Sequence, residues 1–186
     1  MKENLQKLGG LISAVALLVF AVILVANDIK LNIASWMLWT CLDVLILKAS
    51  LDANRKAKNG NWPWLPTGWV VGAATVTLIL LFRGNWQWTY VETLTATVVA
   101  IATIVWKVSG PKAAVVALTI AMTVAGIPSV NVAWHNHDTS GWWMWASIVL
   151  SCLFTLAGTK SWTVEERFLP TASMIFNGLM TVLVLL

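Results

Sequence analysis

Ser35-Trp36-Met37-Leu38-Trp39, followed at a distance by Leu65-Pro66-Thr67, returns about 105 residues later as Gly141-Trp142-Trp143-Met144-Trp145 and then Leu169-Pro170-Thr171. In both copies a Trp-x-x-Trp pair opens an apolar run, a short polar connection follows, and a Leu-Pro-Thr step begins the next run. Self-similarity at a long fixed period marks a duplicated unit. Duplicated helical units in a membrane chain point towards transport.

The chain of 186 residues is 59% hydrophobic and only 11% charged, with a mean hydropathy of +0.78. A soluble domain of this size cannot hide so much apolar surface in one core. Crossing the hydrocarbon core of a bilayer takes about 17–25 apolar residues, and seven such runs are found, at approximately 9–27, 32–50, 65–83, 87–106, 112–130, 141–159 and 168–186. Glu92 interrupts the fourth and Pro128 the fifth. The run after Met1-Lys2 exceeds a typical signal-peptide core and reads as the first span. The expected fold is therefore an all-α membrane protein of seven transmembrane helices.

Charge supplies an orientation. With seven spans, the amino terminus and the 2–3, 4–5 and 6–7 loops share one side, which holds ten of the twelve Lys and Arg residues; the other side has only Lys30 and Arg83. The positive-inside rule then predicts a cytoplasmic amino terminus and an external carboxyl terminus, in what reads as a prokaryotic plasma membrane. The net charge of +4 is explained by these short loops beside lipid headgroups, so nucleic acid is not an expected partner. Cys41 and Cys152 both fall within spans and read as small apolar fillers.

The repeat divides the chain into a first three-helix unit (1–83), a linking helix (84–111) and a second three-helix unit (112–186). An odd number of spans per unit would insert the second copy upside down. The linking crossing restores the orientation, giving parallel repeats about an axis along the membrane normal.

Trp36 and Trp39, and their counterparts Trp142 and Trp145, stand at i and i+3, so each pair forms one aromatic ridge. Facing across the axis, two ridges would make a slot able to stack a ring or a sugar face; the alternative is anchoring at the headgroup level, as for most of the thirteen tryptophans. Asp43 shares the face of Trp36 and Trp39 and falls near the midplane, where a carboxylate is costly unless protonated, paired or hydrated. It is a candidate to bind a polar solute or carry a coupled proton, or else to bond a neighbouring helix. Asn177, mid-span in the seventh helix, offers both donor and acceptor to a solute hydroxyl. Glu92, placed two turns into the fourth span, Pro128, expected to kink the fifth, and Asn131 beyond it are candidates for gating or coupling. His135-Asn136-His137-Asp138 lies in the 5–6 loop with too few ligands for a metal site. No nucleophile–base pair stands out, so no catalytic residue, metal or cofactor is expected.

Three spans, a linking span and three more is the plan of the SWEET/PQ-loop superfamily and of the PnuC-type vitamin transporters. The stretch Ser35-Trp36-Met37-Leu38-Trp39-Thr40-Cys41-Leu42-Asp43 resembles the tryptophan-rich segment of PnuC proteins, with Asp43 where those carry Asn. Gly126-Ile127-Pro128-Ser129 is similar to the PQ-loop pattern, with Ser129 in place of Gln, and Asn177 falls where SWEETs carry a substrate-contacting asparagine. Ala73 stands where the other asparagine would be. The resemblance implies facilitated movement of a small neutral polar solute (a nucleoside, vitamin precursor or sugar) through a cavity between the repeats. Trp36, Trp39, Trp142 and Trp145 would stack on it, and Asp43 and Asn177 would hydrogen-bond it. The expected partners are that solute, membrane lipid and a second copy in a homo-oligomer. The alternative within the same fold is a receptor or assembly factor that binds a protein. A retinal protein is excluded, since the last span has no lysine for a Schiff base.

Overall fold

The computed structural model describes residues 1–58, 61–136, 141–161 and 163–186. Among these, the regular structure is helical: α1 (Lys2–Ala26), α2 (Ile33–Ala57), α3 (Trp64–Arg83), α4 (Tyr90–Ser109), α5 (Pro111–Asn136), α6 (Trp142–Ala157) and α7 (Val164–Leu185). Each of the seven apolar runs is a helix. Six are long and apolar enough to cross a membrane, while α6 has 16 residues. The chain thus has the make-up of an all-helical integral membrane protein.

Local chemistry sets the helix ends. The Asn32 side chain accepts from the Ala34 N–H and starts α2, and Lys58 ends it in a left-handed conformation after Arg55 and Lys56 in the last turn. Cations there oppose the negative end of the helix dipole. Thr89 and Glu92 close a reciprocal capping box at the start of α4. Glu92 therefore sits in the first turn and not two turns into a span, because the cap begins the helix at Tyr90.

The two proline steps also differ from the sequence reading. Pro66 lies in the first turn of α3, where its missing N–H would be unpaired anyway. Pro170, however, falls inside α7, which begins six residues earlier at Val164. Likewise α5 runs through Pro128 to Asn136, beyond the end expected near residue 130.

Helix α3 packs between α1 and α2, which scarcely touch each other, and α7 packs between α5 and α6. The two sets meet through α1 against α6 and α2 against α5, with α4 lying on α5 and, less extensively, on α2. The largest apolar cluster joins them: Leu42, Ile46 and Ala49 of α2 meet Ala114, Val115 and Leu118 of α5, with Trp69, Cys152 and Leu169 completing it. Two smaller clusters lie towards the end of the bundle away from Met1, around Leu24, Val76 and Leu80 and around Met180 and Leu183.

Helix α1 is held on both flanks by contacts that only small residues permit. A Cβ on Gly68 of α3 would collide with the Gly10 carbonyl oxygen and come within 2.6 Å of the Ser13 hydroxyl. On the opposite flank, a Cβ on Gly9 would stand 2.6 Å from the Ser151 carbonyl oxygen of α6. Close approach at small residues is how helices associate in lipid, where no hydrophobic drive brings them together.

Candidate functional site

Buried polar side chains, three of them with an atom that has no partner among the described residues, recur at one depth. Asp43 is 5% exposed and its Oδ1 has no hydrogen-bond partner among the described residues; the Ser151 and Ser173 hydroxyls are buried in the same condition. Asn177, 7% exposed, donates through Nδ2 to the Ser173 carbonyl of its own helix at 2.7 Å. Counting 1.5 Å per residue from the helix ends away from Met1, these four lie about 12–18 Å deep, near the middle of a hydrocarbon core of about 30 Å. They come from α2, α6 and α7. Among Asp, Glu, Lys and Arg, only Lys48, five residues further along α2, also stands far from a helix end; its side chain is exposed and pairs with Asp52 at 3.9 Å. A buried polar atom left unpaired costs on the order of 1–3 kcal/mol.

The tryptophan pairs are distributed differently. Trp36 stacks on Phe20 of α1 with ring centroids 5.8 Å apart, within one of the smaller clusters. Trp39 packs on the main cluster. Trp145 meets Phe176 edge-on at 6.5 Å in the third cluster, and Trp142 is exposed. Trp36, Trp39 and Trp145 thus belong to three separate clusters.

Glu92 is 3% exposed and fully engaged. It accepts from Asn32 Nδ2 at 2.8 Å, from the Thr89 N–H at 2.7 Å, and from the Ser35 and Thr89 hydroxyls. It ties the start of α4 to the start of α2, where the Ile33 N–H also donates to the Asn85 carbonyl at 2.9 Å. Pro128 is half-buried within α5. The side chains of Asn131 and His135, and all of His137 and Asp138, lie outside the described residues.

The end of the bundle that carries Met1 holds a feature the sequence reading did not single out. Leu65-Pro66 of α3 and Leu169-Pro170 of α7, the two copies of the proline step, line one chamber of about 50 Å³ together with Gln6, Ser50, Asn54 and Thr155. Glu166 closes it. Its carboxylate accepts from Asn61 Nδ2 at 3.0 Å and from the Lys160 and Ser161 N–H groups at 2.9 and 3.1 Å. Lys160 Nζ donates to Asn61 Oδ1 at 2.8 Å. This bridge links the α2–α3 connection to the α6–α7 connection. A second hollow, of about 360 Å³, is an open apolar groove between α1 and α6 lined by Leu11, Val15, Val19 and Trp143; it suits acyl chains and has little polar chemistry.

No family model, no curated protein and no solved structure matches this chain.

Proposed function

We propose that the protein is a membrane transporter or facilitator for a small neutral polar solute, which passes between two like-oriented three-helix units, 1–83 and 112–186, tied by the linking helix. The observation that carries this reading is the mid-depth layer of unpartnered polar groups, Asp43 above all. A lone carboxylate in lipid is tolerated chiefly where it meets a cavity, a solute or water. Such a layer, drawn from α2, α6 and α7, offers a crossing solute hydrogen bonds at the depth where the bilayer offers none.

The packing order supports the repeat. Helix α3 stands between α1 and α2 as α7 stands between α5 and α6, and the α1–α6 contact has its counterpart in α5–α2. Rotation about a central axis would exchange the pairs, as parallel repeats require. The excess of basic residues at the Met1 end is consistent with a cytoplasmic amino terminus. Asp43 and Asn177 are the proposed solute contacts, with Trp36, Trp39, Trp142 and Trp145 proposed as the surrounding aromatic surface and Pro128 and Asn131 as gating or coupling elements; Glu92, engaged in the cap of α4, is assigned to holding α4 against α2.

The test is flux. Purified protein in liposomes should equilibrate at least one of a panel of radiolabelled sugars, nucleosides and vitamins, and Asp43→Ala should slow it. Failure across the panel would remove the proposal. A second reading, a membrane receptor or assembly factor, is favoured by one observation: the chamber between the helix sets has room for only one or two waters at about 50 Å³. Protein-partner capture with no solute flux would select it.

A further inference from the structure

The chamber at the Met1 end contains more polar chemistry than its own walls satisfy. The Trp64 indole N–H is buried without an acceptor among the described residues. Gln6 and Ser50, 7% and 6% exposed, face the same space, and neither side chain is hydrogen-bonded to a described residue. These three groups come from α1, α2 and the start of α3. Opposite them stand Leu169, Pro170 and Glu166 of α7, so the chamber lies between the two helix sets.

The wall chemistry selects a ligand type. An indole N–H is a donor only and requires an acceptor, while a hydroxyl and a primary amide can each give and receive. Glu166 is the one charged residue among the described residues of the lining, and its two oxygens are already taken by Asn61, Lys160 and Ser161. An anion would meet the Glu166 carboxylate, while the nearby Lys160 Nζ is already engaged by Asn61 Oδ1. A hydroxyl or amide oxygen would satisfy the indole and leave the Glu166 bonds in place. Glu166 and Asn61, both half-buried, line the chamber where the α2–α3 and α6–α7 connections meet.

We propose that this chamber is a binding site for a neutral hydroxyl- or amide-bearing group, closed by the Asn61–Glu166–Lys160 bridge. It rests on the transport reading, for which it supplies the entry point at the Met1 end.

The native cysteines allow a direct test, because replacing Cys41 and Cys152 by Ala leaves a thiol-free chain. In that background, Ser50→Cys places a thiol in the chamber. Its labelling by a membrane-impermeant methanethiosulfonate is followed in lipid nanodiscs, where both faces are open. Asn61→Ala and Glu166→Ala should each accelerate labelling on the order of tenfold, the worth of one charge-assisted hydrogen bond, with Lys160→Ala as a surface variant that spares the fold. Glu92→Ala, at the opposite end, should not change the rate. In the opened variants, methanol or formamide, small enough for the chamber, should slow the labelling and formate should not.

Equal rates with and without the bridge, or equal acceleration by Glu92→Ala, would overturn the door. Protection by formate, or by neither neutral probe, would overturn the ligand class. Gated labelling in a protein that moves no solute would refute transport while leaving the door; flux with ungated labelling would do the reverse.

Discussion

Gly68→Ala is the most informative single change in the bundle. The added Cβ would fall on the Gly10 carbonyl oxygen, 2.6 Å from Ser13 Oγ and 2.9 Å from the Gly10 carbonyl carbon. A relaxed carbon–oxygen approach is about 3.3 Å, so α1 and α3 must part by roughly 1 Å or tilt. Overpacking of this kind costs about 1–3 kcal/mol. It also disturbs the buried Ser13 hydroxyl, which donates to Gly10 at 3.0 Å. Against this, alanine gains about 0.8–1.0 kcal/mol of helix propensity over glycine. The net expectation is a loss of up to about 2 kcal/mol, or a few degrees in Tm at about 2–4 °C per kcal/mol. Gly178→Ala in α7 is the matched control, since nothing lies within 4 Å of its added Cβ and only the propensity gain remains. Thermal unfolding in detergent, followed by tryptophan fluorescence, should therefore give opposite signs for the two changes. A Gly68→Ala protein as stable as the Gly178→Ala one would refute the close α1–α3 approach.

Glu92→Ala should lower stability by about 1–3 kcal/mol, through loss of the capping box and an orphaned Asn32 amide, while leaving flux per folded molecule unchanged; lost flux in a folded variant would assign Glu92 to the pathway. Asp43→Leu should be neutral or stabilising in the same melt, because it removes a buried polar atom that has no partner among the described residues, yet it should abolish flux. A destabilised Asp43→Leu protein would instead give Asp43 a structural role.

The helices are legible because apolar run length is written directly in composition, while Glu92, Pro128 and Pro170 stand elsewhere in their helices than hydropathy places them, because polar caps and connections set the helix ends. The depth of Asp43 and Asn177 followed from counting residues. What counting could not supply was rotation about each helix axis, so the shared spacing of Trp36 and Trp39 did not reveal that Trp36 turns to Phe20 and Trp145 to Phe176. The Asn61–Glu166–Lys160 bridge was hidden for another reason: its residues are 99 and 105 positions apart and lie in connections with no periodicity to read. Gly9-Gly10 was a visible signal, since paired glycines inside an apolar run have few uses other than close helix contact.

With 16 residues, α6 extends only about 24 Å, some 6 Å less than the hydrocarbon it would have to cross. Its neighbour α1 has 25 residues. One flank of the protein therefore presents a short wall to the lipid. Hydrophobic mismatch costs fractions of a kcal/mol per Å, enough to draw the leaflets together locally or to recruit shorter acyl chains beside Trp142 and Trp143. A bilayer thinned on that side alone would match α6 more closely than one of uniform thickness.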